Sequence, residues 1–368
     1  MRYTVLIALL LAAPLFAAVP QQVPFIATHG QQPREWYLEQ AQLWRAETEK
    51  DPANANAWRN YYMATEYGQR GGTTDKSARA AILVKMQVHV ADSYEYAYLQ
   101  QRHYDGDDLD TKRDLMEEAY ARCNSCSEII ENLAYHSEIT GQHERARGLW
   151  AKLYQTRRIA PGLFDYNYNM LQSTLPDAIL FTNGDNDTFP LWFLQEVEGV
   201  RKDVRVVNLS LLNTNWYIKQ LRDREPKVDI RFDDTLIDSV LTDTQLVDLY
   251  KRLWDPKVPV EFKKIGLDVT VSALEGHDLL RVQDIMVMKI LGWNEWKKPI
   301  HFAITIPASN RVNLDPYLSM VGMTMKVLPE RNDGADEEAL RYNLLEKYRF
   351  RGLNDPEVHK DENTVRLL

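Results

Sequence analysis

Apolar side chains recur at helical spacing through the first half of the chain. Tyr37, Ala41 and Trp44 lie three or four positions apart, which places them on one face of a helix. Asp51-Pro52 then interrupts this face, because proline cannot continue a helix, and a second helical pattern follows. The pattern predicts a helical domain over residues 33–172.

Two helices joined at Thr140-Gly141 are predicted from Asn132 onwards. Residues at the spacing of a tetratricopeptide repeat occur there, and they are Leu133, Ala134, Gly141, Ala146 and Trp150. In such repeats the small residues let paired helices approach, and the bulky residue fills the groove of the next pair. The pattern predicts tetratricopeptide-like hairpins, with a plain helical bundle as the alternative.

Short apolar runs replace the helical pattern after Leu175-Pro176. The segments DAILFTNG, DVRVVNLS and KKPIHFAITI each combine an apolar run with turn residues, as buried strands do, and MTMKVLPE is a fourth candidate. Because helical stretches separate the strands, we expect an α/β domain over residues 176–330, Rossmann-like, with a mostly parallel sheet and flanking helices. Residues 335–368 are predicted as a C-terminal helical segment whose apolar face is unfinished, so that it either docks as a cap or is truncated.

The N-terminus has the pattern of a secretory signal peptide over residues 1–18. Arg2 precedes an apolar run from Val5 to Ala13, and the small residues Ala17 and Ala18 follow. The run is shorter than the roughly 20 residues that cross a bilayer. We expect an exported protein, periplasmic or extracellular, with an uncleaved membrane anchor as the alternative.

The overall charge argues against one class of partner. The chain has 368 residues and a formal net charge of −9. No run of Lys or Arg is present to meet the phosphates of a nucleic acid, so nucleic acid is not expected as a partner.

Polar residues follow the predicted strands at the ends where an open α/β sheet binds its ligands. The candidates for ligand binding are Asn183, Asp185, Asn186, Asp187, Asn208, Ser210, Asn213 and Asn310. Because the carboxyl ends of parallel strands meet at one edge, we expect these residues to line a crevice for a small polar ligand.

The pair Asp185 and Asp187 has three interpretations. Two carboxylates after an apolar strand can hold a divalent metal, as in glycosyl or phosphoryl transferases and hydrolases. A calcium loop is a second interpretation, although the further acids of an EF-hand are missing. In the third, the tip is a turn, with Asp187 or Thr188 capping a helix that begins near Pro190. The residue chemistry alone favours the turn.

Cys123 and Cys126 are the only cysteines of the chain. In an exported protein such a pair favours a disulfide. No βαβ pattern surrounds the pair, which disfavours a thioredoxin-like redox role.

A long run of unusual residues, ILFTNGDNDTFPLWFLQEVEGVRKDVRVVNLSLLNTNWYIKQL, carries a family resemblance. It resembles the soluble extracytoplasmic C-terminal region of a bacterial family of polytopic membrane proteins of unknown function, related to the protein O-mannosyltransferase-like proteins of animals. The resemblance covers residues 177–368 and includes LLRVQDIMVMKILGWNEWKKPIHFAITI. It implies that glycosyl transfer belongs to the family's membrane-spanning part. It also implies a role beyond capping for Asp185 and Asp187, which lie in the shared run.

We therefore expect an exported accessory or binding protein of the cell envelope, linked to protein glycosylation or surface glycans and non-catalytic by itself. The helical domain would bind a protein or peptide, and the crevice would hold a sugar or another small polar ligand. The competing expectation is a metal-dependent glycosyl or phosphoryl transferase or hydrolase, with a divalent cation as cofactor held by Asp185 and Asp187.

Overall fold

The computed structural model describes residues 19–25, 31–69, 76–106, 108–156, 158–159, 161–242, 260–269, 281–332 and 334–351. The predicted signal peptide lies outside the described residues, as does the predicted C-terminal helical segment beyond residue 351. Contacts divide the chain into two compact units, Met1–Asn124 and Ser125–Leu368. The domain boundaries predicted from the sequence, 33–172 and 176–330, stay a prediction.

The first unit is helical wherever it has regular structure in its described residues. Its helices are α1 Arg34–Lys50, α2 Ala55–Gly68, α3 Ser77–His89, α4 Tyr94–His103 and α5 Leu109–Arg122. Helices α1 and α2 pack on each other, as do α4 and α5. Short polar side chains begin two of these helices: Asn54 accepts a hydrogen bond from the backbone N–H of Ala57, and Ser93 accepts one from that of Tyr96.

The second unit combines helices with a sheet. Its helices are α6 Ser127–Ile139, α7 His143–Gln155, α8 Pro161–Gln172, α9 Asp185–Glu196, α10 Asn215–Asp223, α11 Asp234–Thr242, α12 Val260–Lys264, α13 Val282–Asn294 and α14 Glu337–Tyr342. Its strands are β1 Ile179–Thr182, β2 Arg205–Asn208, β3 Ile300–Ala303, β4 Leu318–Met320 and β5 Thr324–Val327. The prediction of a helical part and a sheet is confirmed at this level.

The sheet is mixed, with the strand order β2-β1-β3-β5-β4. Strand β1 pairs in parallel with β2 and with β3, so that Phe181 lies opposite Val207 on one side and Phe302 on the other. Strand β5 then pairs in an antiparallel way with both β3 and β4. The three parallel strands are buried along their whole length, including the polar residues Arg205 and Asn208 of β2 and His301 of β3.

Helix α9 passes through a proline because another helix supplies the missing hydrogen bond. It begins at Asp185 and contains Pro190, which has no N–H to donate to the carbonyl of Asn186. The side-chain amide of Asn167, on α8, donates to that carbonyl oxygen over 2.8 Å. The helix therefore starts earlier than the start near Pro190 predicted from the sequence, and neither Asp187 nor Thr188 is its N-cap, which is Gly184.

Aromatic side chains join α6, α7 and α8 to α9. The ring centroids of Tyr135 and Phe189 are 5.0 Å apart, and those of Trp150 and Phe189 are 5.8 Å apart. Phe164 and Phe193 form a further pair at 4.8 Å. Large rings bury much apolar area, so this cluster stabilises the packing of α6, α7 and α8 against α9.

No helix within the described residues is long and apolar enough to cross a membrane.

Candidate functional site

The predicted crevice corresponds to the edge where β1, β2 and β3 end. Asp187 follows β1 and is only 4% exposed. Its carboxylate accepts hydrogen bonds from the hydroxyl of Thr305, just after β3, and from the backbone N–H of Asn183 over 3.4 Å. The side-chain amide of Asn183 donates to the carbonyl of Thr305 over 3.4 Å. Asn183 and Asp187 thus tie the end of β1 to the end of β3.

Thr188 is the second junction at this edge. Its hydroxyl lies 2.9 Å from that of Thr182 and donates to the carbonyl of Gly184 over 2.8 Å. The amide of Asn208, at the end of β2, donates to the same hydroxyl oxygen over 2.9 Å. The other side-chain atom of Asn208, Oδ1, accepts from the backbone N–H of Leu211 over 3.0 Å. Asn208 is 3% exposed and is used within the protein.

Burial dominates the electrostatics of Asp187. The loss of hydration raises the pKa of this carboxyl, while the hydrogen bonds from Thr305 and from the backbone of Asn183 act in the opposite direction. Burial, and secondly the charge of Asp187, raise the pKa of Tyr166 on α8 far above its usual range. Oδ1 of Asn167, the next residue of that helix, is buried and has no hydrogen-bond partner among the described residues.

Asp185 differs from Asp187, although the two are neighbours in the sequence. Asp185 is exposed at the first position of α9, and reduced hydration raises its pKa. Its charge also contributes to raising the pKa of Tyr135 and of Glu131 on α6, in both cases after the larger effect of burial. Asn186 is exposed beside it. Asp185 and Asn186 are therefore the accessible part of the acidic tip.

The remaining candidates gather at the start of α13. Asn213 donates to Oε1 of Gln283 over 2.9 Å, and its Oδ1 accepts from the backbone N–H of Gln283 over 3.0 Å. Oδ1 of Asn310 accepts from Arg281 over 2.8 Å. Ser210 is exposed, and its carbonyl accepts from the amide of Asn213 over 3.1 Å. These residues lie at the predicted edge, but they bond to α13 or to each other rather than to Asp187.

Metal-ligating side chains do not converge at this edge. Within the described residues, no group of three or more His, Cys, Asp or Glu side chains is arranged to hold a metal ion. The pair Asp185 and Asp187 is split between an exposed and a buried environment, since one side chain faces solvent and the other is bonded to Thr305. Elsewhere in the chain, Cys123 and Cys126 are disulfide-bonded.

Several residues that shape the site were not predicted from the sequence. Thr305 lies 118 positions after Asp187, and Asn167 lies 19 positions before the carbonyl that it bonds. No local sequence pattern marked the hydroxyl of Thr305 or the amide of Asn167 as part of the site. A proline inside a helix leaves one backbone carbonyl without its usual donor, and this signal could have pointed to a donor such as Asn167 had the helix been predicted to begin before Pro190.

One family comparison bears on this unit. Residues 163–239 and 257–344 are similar to the family described as TMEM260-associated domain 2. The matched segments begin in α8 and include all five strands, so the strand-end edge lies inside them. The match supports the resemblance seen in the sequence at the level of this domain. No curated protein and no solved structure gives a significant match.

Proposed function

We propose that this chain is an exported accessory or binding protein of the cell envelope, linked to protein glycosylation or surface glycans and non-catalytic by itself. The link to glycosylation rests on the family resemblance described above, which the similarity of residues 163–239 and 257–344 to TMEM260-associated domain 2 supports at the level of this domain. Export rests on the signal-peptide pattern of residues 1–18. Mass spectrometry of the N-terminus of the exported protein tests the predicted cleavage.

The ligand of the proposed site is a sugar or another small polar molecule at the strand ends of a Rossmann-like sheet. This proposal rests on the different environments of the residues in the acidic tip, some of which are bonded within the protein and some of which are exposed. Asp187 is bonded to Thr305 and to Asn183, whereas Asp185, Asn186 and Ser210 are exposed. Exposed carboxylate, amide and hydroxyl groups are available to accept and donate hydrogen bonds to a ligand. Asp185 is the binding residue of this proposal, and Asp187 is its support.

Thermal unfolding of the purified chain tests the site. The probes are Ca²⁺, Mg²⁺, Mn²⁺, Zn²⁺ and a panel of sugars and sugar phosphates. A ligand at about 100 times its dissociation constant adds roughly 2.7 kcal/mol, and each kcal/mol raises the midpoint by roughly 2–4 °C for a unit of this size. We expect a sugar to raise the midpoint of the wild type.

The two aspartates form a matched pair of variants for this test. Asp185→Asn should unfold at the wild-type midpoint and lose the response to the ligand, because the exposed carboxylate makes no hydrogen bond or ion pair with any described residue. Asp187→Asn should change the midpoint without ligand, because its carboxylate is part of the turn. A response that Asp185→Asn keeps at its full wild-type size contradicts the assignment. A response to a divalent cation that both variants abolish supports the metal-dependent enzyme instead.

The helices of the first unit are proposed as the second binding surface, with tetratricopeptide-like hairpins that take a peptide. On α3, Val84 and Val88 lie one turn apart, and their exposed fractions are 63% and 75%. Two large apolar side chains exposed on one helix face suit the apolar residues of a peptide. Panning of a random-peptide library should select apolar peptides whose binding, measured by fluorescence anisotropy, is lost in Val84→Lys/Val88→Lys. Binding that the double variant retains contradicts this surface.

A further inference from the structure

A small cavity lies at the opposite end of β2 from the strand-end site. Its volume is ≈ 80 Å³. It is bounded by the end of α6, the end of α9, the beginning of β2 and helix α10. Six of its lining residues carry the chemistry: Glu138, Glu196, Arg205, Tyr217, Gln220 and Arg224. None of them belongs to the site proposed above.

Arg205 is a buried cation of this cavity that forms no ion pair within the described residues. Its side chain is at the beginning of β2, and the residue is 8% exposed. One end of the guanidinium donates to the carbonyl of Gln220 over 3.3 Å, but Nε has no hydrogen-bond partner among the described residues. Burial lowers the pKa of Arg205, which shows that its charge is poorly compensated. An unsatisfied buried donor costs free energy unless a guest group accepts its hydrogen bond.

Glu138 supplies the complementary acceptor. It lies near the end of α6 and is 3% exposed. Its Oε1 binds Arg224 over 2.6 Å, while Oε2 has no hydrogen-bond partner within the described structure. Arg224 also reaches Oε1 of Glu196 over 3.1 Å. The Glu138–Arg224–Glu196 chain therefore leaves one carboxylate oxygen free.

Arg205 and Glu138 influence each other without touching. Burial raises the pKa of Glu138, and the charge of Arg205 opposes this shift as one of the smaller effects. Burial lowers the pKa of Arg205, and the charge of Glu138 opposes that shift. In the described part of the chain the two side chains form no ion pair, so neither satisfies the free atom of the other. Among the described residues, the cavity thus presents a buried donor, Nε of Arg205, and a buried acceptor, Oε2 of Glu138, that have no hydrogen-bond partner.

We propose that this cavity binds a neutral compound with a vicinal diol, whose hydroxyls accept a hydrogen bond from Nε of Arg205 and donate one to Oε2 of Glu138. An anion would meet the carboxylates of Glu138 and Glu196, and a cation would meet Arg205 and Arg224. A hydroxyl group donates and accepts at once, so two adjacent hydroxyls satisfy both free atoms without adding charge. Monosaccharides are rigid carriers of such a diol; because a whole hexose is larger than the ≈ 80 Å³ cavity, only the diol edge of the ring enters it. This cavity is a site separate from the one at Asp185, and its proposal does not depend on that one.

Saturation-transfer NMR on the purified full chain tests the proposal. The probes are glucose, mannose and galactose, with sodium acetate, acetamide and a fully O-methylated methyl glucoside as contrasts. We expect at least one monosaccharide to bind, and we expect the O-methylated compound not to bind, because it cannot donate to Glu138. This contrast needs no variant and therefore holds even where a substitution in the cavity prevents folding.

Substitutions then assign the binding to the cavity. In the Asp185→Asn background, where the strand-end site is removed, Arg205→Gln and Glu138→Gln should each weaken monosaccharide binding by about tenfold or more, the usual effect of losing a hydrogen bond to a charged group. Glu198→Gln is the matched control, since Glu198 is exposed and pairs with Arg349 over 3.6 Å away from the cavity lining. It should bind as the wild type does.

Four results overturn the proposal. They are no binding by any monosaccharide, equal binding of the O-methylated compound, binding of acetate or acetamide in place of the sugars, and binding that Arg205→Gln retains while Asp185→Asn loses it. The last result would place the sugar at the strand-end site, so failure of this inference is separate from failure of the proposed function.

Discussion

His301 and Asp187 show, at the scale of single residues, how burial shifts acids and bases in opposite directions. His301 lies on β3 with no exposed surface, and burial lowers its pKa to about 3. Burial raises the pKa of Asp187. In both cases the neutral form is favoured, because the protein groups around the side chain stabilise its charge less well than water does. The two residues therefore respond to pH with opposite signs.

The histidine predicts a loss of stability in acid. Its pKa is lowered from about 6.5 in the unfolded chain to about 3 in the folded one, so the unfolded chain binds the proton first. Its contribution to stability is present above pH 6.5 and is lost as the pH falls towards 3. From pH 7 to pH 5 this amounts to about 2 kcal/mol of the free energy of unfolding.

Urea unfolding at pH 7 and pH 5 measures this effect. His301→Gln, which stays neutral, should lose about 2 kcal/mol less than the wild type between the two values. Loss of the hydrogen bond between His301 and Thr324 changes the stability of the variant equally at both pH values, so it does not affect the difference between them. Equal losses in the two proteins would show that His301 is not the group that titrates.

At the scale of elements, α9 depends on α8 for one backbone bond. The amide of Asn167 donates to the carbonyl of Asn186, which Pro190 leaves without its usual partner. Asn167→Ala should therefore lower the free energy of unfolding by about 1–3 kcal/mol, the cost of an unsatisfied buried group. In a Pro190→Ala background the same change should cost less, because alanine restores the missing backbone N–H. A double-mutant cycle by chemical denaturation measures the coupling, and additive effects would contradict it.

Predictability from the sequence also divides at this scale. Strands β1, β2 and β3 were predicted because each lies in a segment that combines a short apolar run with turn residues, a local property of the sequence. The start of α9 was not, because it depends on Asn167 in a different helix. The antiparallel pairing of β5 with β3, in which Met325 lies opposite Phe302, was not predicted, because the direction of a strand depends on its partner and not on its own apolar run. Local patterns predict elements, and distant partners decide their ends and neighbours.

At the scale of the whole molecule, the helices before the sheet belong to the compact unit that contains it. The unit Ser125–Leu368 includes α6 and α7. Tyr135 and Trp150, on these two helices, pack on Phe189 of α9. Thr188 bonds to Asn208 at the end of β2, and Asp187 bonds to Asn183 at the end of β1, while the ligand site expected at these strand ends stays a prediction. The division of the strand-end residues into bonded and exposed groups depends on this three-dimensional packing and had no signal in the sequence.

The outer edge of β4 has a consequence for the protein in a crowded solution. Met320 forms a parallel bridge with Ala335, its carbonyl accepts from the N–H of Asp336 over 2.9 Å, and the hydroxyl of Ser319 donates to the carbonyl of Gly334 over 3.3 Å. The chain thus covers with its own backbone an edge that otherwise recruits strands from other molecules. Residues 334–336 thereby protect this edge from pairing with other molecules. A substitution that detached them from β4 would lower the solubility of the protein before it affected ligand binding.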